Sequence, residues 1–88
     1  MTGAVVGRVT DASGQVVSDA AVQIVRGPPH PDVAALTNSR GEFRFDRLQP
    51  GRYRLLVTSV RHARLWLEVD VVAGRESLGD VRLGPRTR

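Results

Sequence analysis

Residues 37–55 read Thr37-Asn38-Ser39-Arg40-Gly41-Glu42-Phe43-Arg44-Phe45-Asp46-Arg47-Leu48-Gln49-Pro50-Gly51-Arg52-Tyr53-Arg54-Leu55, and their reading decides the fold class. From Glu42 to Asp46 apolar and charged residues alternate. Phe43 and Phe45 point one way; Glu42, Arg44 and Asp46 point the other. A period of two marks a strand with one face in a core and the other in water. Pro50-Gly51 interrupts the run, proline setting its own φ and glycine accepting a positive one, as a type II turn requires. Beyond it Tyr53, Leu55 and Val57 share a face opposite Arg52, Arg54, Leu56 and Thr58.

The same grammar extends outward in both directions. Ala4 to Thr10 is a β-rich run broken at Asp11-Ala12-Ser13-Gly14, where Asp and Ser bond their own backbone and Gly14 supplies a positive φ. Val16-Val17 resumes an extended path, and Ala20, Val22 and Ile24 alternate with Ala21, Gln23 and Val25. Gly27-Pro28-Pro29-His30-Pro31 holds three prolines and so reads as an exposed loop. Val33 to Thr37 is a weak strand. In Leu65-Trp66-Leu67-Glu68-Val69-Asp70-Val71 the residues Leu65, Leu67, Val69 and Val71 face inward, with Trp66 outside beside Glu68 and Asp70. Ala73-Gly74-Arg75-Glu76 is a turn, Leu78 to Leu83 closes the domain, and Gly84 to Arg88 reads as a frayed tail. Short strands separated by turn clusters, with no stretch of helical spacing, predict an all-β fold: a seven-stranded antiparallel β-sandwich in which two sheets bury one face of each strand. One domain is expected over residues 1–84, with residues 85–88 as a flexible tail.

Composition narrows the chemistry. Eighty-eight residues, 41% hydrophobic and 25% charged, fit one globular domain with room for a core and no large enclosed active site. No apolar run approaches the roughly 18 residues of a membrane span, and the N-terminus lacks a secretory signal. The absence of cysteine excludes disulfides, thiolate metal sites and cysteine nucleophiles. All 13 basic residues are arginine, which removes Schiff-base chemistry and fits the codon usage of a GC-rich bacterial genome. The net charge of +4 is modest for nucleic-acid binding.

With these motifs in view the chain resembles the carboxypeptidase regulatory-like domains. Gly7-Arg8-Val9-Thr10-Asp11-Ala12-Ser13-Gly14 with Val17 to Ala20 and Val22 is similar to the opening of that family, and residues 37–55 to its central signature. Val72-Ala73-Gly74 before Leu78 to Leu83 is similar to its last hairpin. The resemblance implies a transthyretin-like, or prealbumin-like, sandwich used as a non-catalytic accessory module beside peptidases, lyases, transporters and surface proteins, or as a repeat. The related hydroxyisourate hydrolases are enzymes of similar architecture that end in Tyr-Arg-Gly-Ser and use an early-strand histidine. Here the end reads Leu83-Gly84-Pro85-Arg86-Thr87-Arg88 and the first histidine is His30, so that catalytic set is missing.

Catalytic, cofactor and metal residues are expected to be absent. His30 and His62 lie 32 residues apart in predicted loops, His30-Pro31-Asp32 offers only two ligands, and Asp11 to Gly14 lacks the later acidic residues of a calcium loop. Candidate partner-binding residues are Trp66, Arg44, Arg52 and Arg54, joined by Arg8. A hairpin at Pro50-Gly51 would set Arg44 beside Arg52 and Arg54 on one outer face, able to meet an acidic protein surface or phosphates. The plainer reading is a solvated face with Glu42 and Asp46 as cross-strand partners. An outward Trp66 marks an interface or a sugar-stacking spot, whereas a register shift would tuck it into the core. The expected function is an interaction module contacting another protein; the alternatives are a structural spacer of a larger envelope or secreted protein and, more weakly, a carbohydrate-binding module. Pairing of two copies through edge strands is left open. With Met1 as the native start the expected location is the cytoplasm; for an excised domain it is the cell envelope or the exterior.

Overall fold

The structure, a computed structural model, describes residues 1–30 and 34–85. Alternating sequence becomes alternating burial: along β5 (Gly51–Ser59) Tyr53, Leu55 and Val57 are all fully buried, while Arg52 and Arg54 are exposed. β4 (Glu42–Leu48) buries Phe43, Phe45 and Leu48 in the same way. Six further strands complete the chain: β1 (Gly3–Asp11), β2 (Ala21–Arg26), β3 (Ala34–Leu36), β6 (His62–Val71), β7 (Glu76–Leu78) and β8 (Val81–Leu83). They form two four-stranded sheets. The first has the order β4-β1-β7 with β8 also on β1, and the second the order β3-β2-β5-β6. Apolar side chains of both inner faces meet in one core, to which Val5, Val9, Val22, Tyr53, Leu55, Val57 and Leu83 each contribute a fully buried side chain. The fold is therefore the expected all-β sandwich.

Three expectations about its wiring are corrected. There are eight strands among the described residues, because the run from Leu78 to Leu83 is divided at Gly79-Asp80 into β7 and β8. Gly79 donates its N–H to the Val6 carbonyl, and Asp80 accepts from the Arg8 N–H through Oδ1. Both strands run parallel to β1, so the first sheet is mixed, and the closing segment crosses to that sheet instead of forming a hairpin with β6. Most consequentially, Pro50-Gly51 joins β4 in one sheet to β5 in the other. Gly51 has the positive φ expected of it, 145°, but the turn passes between layers. Gly84 and Pro85, expected in a loose tail, are held: Ala63 donates to the Gly84 carbonyl and Pro85 bridges His62.

Polar clamps hold the connections. Thr37 is the one buried polar residue among those described. Its hydroxyl donates to the Val17 carbonyl at 2.7 Å and accepts from the Ala20 N–H at 2.9 Å, fixing the passage from β1 to β2. Asp11 Oδ1 gathers the N–H groups of Ser13 and Gln15 and the Ser13 hydroxyl, the Asx arrangement its turn sequence implied. Asn38 does the same for the N–H groups of Arg40 and Glu42, launching β4. Arg47 takes a left-handed φ of 58° beside the irregularity where β4 leaves register with β1.

Candidate functional site

The two outer faces carry opposite solutions to the same composition. On the first sheet Arg8 and Arg44 meet carboxylates, while Arg82 on β8 forms no salt bridge among the described residues. Arg8 lies 3.3 Å from Glu42, and Arg44 contacts Asp46 at 2.6 Å and Glu76 at 2.7 Å. The hydrogen bonds Arg44 donates to Glu76 and then to Asp46 raise its pKa above the ordinary value, and Asn38 followed by Arg8 holds the Glu42 carboxyl below its own. A shallow groove of about 800 Å³ crosses this face, lined by Val6, Arg44 and Leu78 among others. Its charges are already matched within the chain.

The second sheet differs. At its lower end Arg52 contacts Asp70 at 3.1 Å and Glu68 at 3.5 Å, again a closed set. One step along, the balance fails. Arg54 is the register neighbour of Arg26 on β2, and neither forms a salt bridge or side-chain hydrogen bond among the described residues. Like charges facing each other across a ladder destabilise a sheet, and Glu68, the neighbour of Arg54 on β6, contacts Arg52 instead. The Arg54 guanidinium lies instead 5.7 Å from the centroid of the Trp66 ring, and that of Arg64 lies 6.0 Å from it. Arg64 precedes Trp66 by two residues on β6, and Arg54 sits opposite Glu68, two residues past it, so the arginines flank the indole along the strand. Trp66 is 47% exposed, on the outer face as strict alternation predicts, with Leu56 opposite it and Gln23 opposite Leu56.

The four candidate residues thus separate. Trp66 and Arg54 come together. Arg52 is on the same face but engaged by carboxylates, and Arg44, with Arg8, is on the opposite side of the sandwich. The patch expected from a Pro50-Gly51 hairpin does not form, because the turn changes sheets. Two participants were missed. Arg64 was legible, since a residue two places before an outward tryptophan shares its face. Arg26 was not, because only strand pairing brings it to Arg54.

Other polar groups serve the fold. The Ser59 hydroxyl lies 3.1 Å from His62 Nδ1 across the β5–β6 hairpin, and Asp11, with its Oδ1 committed to Ser13 and Gln15, feels His62 only through its charge. The Tyr53 hydroxyl donates to the Gln49 carbonyl at 2.6 Å, and burial pushes its pKa up. Among the described residues no three metal-ligating side chains converge; of His30-Pro31-Asp32, only His30 lies within them.

Comparison with solved structures gives the same sandwich in varied settings. The Bacillus anthracis TIE protein superposes with a TM-score of 0.80 at 12% identity, over 96% of this chain and 16% of that one. GBS52, the minor pilin of the Gram-positive pathogen Streptococcus agalactiae, gives 0.79 at 15% identity, over 99% of this chain and 46% of that one. Catechol 1,2-dioxygenase from Pseudomonas arvilla C-1 gives 0.75 at 12% identity, over 99% and 53%. This chain therefore spans about half or less of those proteins, and at such identities the likeness is one of fold. No curated protein matches the sequence. The model of one family does match, over residues 4–84, nearly the whole length. With the sandwich, the turn signatures and that match in agreement, the chain belongs to the carboxypeptidase regulatory-like domain family.

Proposed function

We propose that this domain is a non-catalytic accessory module that contacts another protein through the outer face of the β3-β2-β5-β6 sheet, with Trp66 as the anchor and Arg26, Arg54 and Arg64 receiving an acidic surface. The observation that carries the reading is the Arg26–Arg54 register pair, neither arginine in a salt bridge among the described residues, against an indole that is half in solvent. A partner carboxylate relieves the repulsion within the pair and forks onto a guanidinium already oriented by the ring. Burying the indole supplies apolar area at the same place. On the opposite face Arg8 and Arg44 already have their carboxylates and offer no such gain.

A sugar-stacking role is less favoured by this geometry, since two guanidinium groups already lie over the ring a pyranose would need. The test is affinity capture on the immobilised domain from an extract of the source organism, at low and high salt. A stoichiometric partner held at low salt, released at high salt and lost from Trp66→Ala supports the reading. A folded domain that retains nothing points to a passive spacer, and a glycan-dependent shift of Trp66 fluorescence points to carbohydrate.

A further inference from the structure

β6 is the outermost strand of its sheet and, at ten residues, the longest strand in the molecule. Of the other edge strands, β3, β7 and β8 have three residues each, too short to template another chain, and the seven-residue β4 is broken by the irregularity at Arg47. The outer side of β6 is hydrogen-bonded at its two ends, with Gly79 packed near Leu67 between them. Ala63 donates to the Gly84 carbonyl, and the Asp70 carbonyl accepts from the Ser77 hydroxyl. Between them, residues 64–69 make no backbone hydrogen bond outside the β5 ladder among the described residues. No proline or glycine interrupts this stretch.

Its sequence, Arg64-Leu65-Trp66-Leu67-Glu68, is its own complement when reversed. We propose that two copies of this chain pair antiparallel along β6, centred on Trp66, and so join their sheets edge to edge. In that register Arg64 of each copy stands opposite Glu68 of the other, Leu65 opposite Leu67, and the two indoles opposite each other. All three kinds of cross-strand pair are favourable. Leu65 and Leu67 are only half-buried on the inner side although they pack against the core, and the pairing covers them. A shift of one residue would set inward leucines against outward residues, and the alternation forbids it. The interface is isologous and closes at two copies.

The pairing engages Arg64 and one side of Trp66 but leaves Arg26 and Arg54 on the outer face, and it is read on the purified chain alone, so its outcome is separate from that of the acidic partner. Sedimentation of the wild-type chain up to about 1 mM is compared with Arg64→Glu, Glu68→Arg and the double reversal. The expected wild type reaches twice the 9.6 kDa chain mass as concentration rises. Each single reversal creates two like-charge pairs and weakens association by about tenfold, while the double reversal restores it. Unchanged thermal melting shows that the single variants remain folded. A wild type that stays monomeric throughout, a dimer indifferent to the single reversals, or a double reversal that fails to restore pairing overturns the proposal.

Discussion

Arg26 and Arg54 face each other across the β2–β5 ladder, with no carboxylate bonded to either among the described residues. Glu68, the neighbour of Arg54 on β6, contacts Arg52 instead, so a carboxylate at position 26 would give Arg54 a partner on its other side. Arg26→Glu should therefore stabilise the isolated domain by about 0.5 kcal/mol. The same substitution should weaken capture of an acidic partner. Urea denaturation beside a binding assay checks both, and a variant that loses stability would show that Arg26 serves the fold.

Arg54 and Arg64 should shield the indole of Trp66, the single tryptophan of the chain, so fluorescence reports on it directly. Arg54→Ala should increase quenching of Trp66 by acrylamide while changing stability by about 1 kcal/mol or less. Unchanged quenching would mean that the guanidinium does not sit on the ring in solution.

Thr37 bonds two buried backbone groups at once. Thr37→Val keeps the shape and strands the Ala20 N–H and the Val17 carbonyl, which should cost about 3 kcal/mol, whereas Thr37→Ser should cost much less. Denaturant midpoints decide; equal losses in the two variants would assign the effect to packing.

Gly27 holds a φ of 155° directly over Tyr53, and a Cβ there would come 2.5 Å from the ring. Gly27→Ala must push the fully buried tyrosine or bend the strand end, with an expected loss of about 2–3 kcal/mol. Tyr53→Phe removes only the bond to Gln49, about 1 kcal/mol. Thermal melts should rank the two in that order.

Asp11 and Glu42 both titrate below their ordinary values of 3.8 and 4.5, Asp11 chiefly through the Ser13 hydroxyl and Glu42 chiefly through Asn38. A carboxylate with a lowered folded pKa binds fewer protons when folded. Its stabilisation is complete above the unfolded value and is lost as pH falls through the folded one. The melting temperature should decline below about pH 4.5, and less steeply in Asp11→Asn, which keeps the acceptor oxygen without the charge. Parallel profiles for the two proteins would contradict this assignment.

What the sequence disclosed was local periodicity. Phe43 with Phe45, Tyr53 with Leu55 and Val57, and the outward Trp66 all follow from alternation, which is set by the pleat of a single strand. Pairing was hidden because it is not local. Pro50-Gly51 reads alike whether it closes a hairpin or carries the chain to the facing sheet, and that difference moves Arg44 to the far side of the molecule. β7 and β8, three residues each, carry too little pattern to announce that they run parallel to β1. The Arg26–Arg54 neighbourhood depends on the same unseen pairing.

The most direct test of the account sets one outer face against the other. Capture of the acidic partner should be measured for Arg54→Ala and Trp66→Ala beside Arg44→Ala, each shown to be folded. The account predicts that the first two lose the partner and that Arg44→Ala, whose arginine already serves Glu76 and Asp46, retains it. Loss in Arg44→Ala with retention in the other two would place the contact on the opposite sheet and contradict the account.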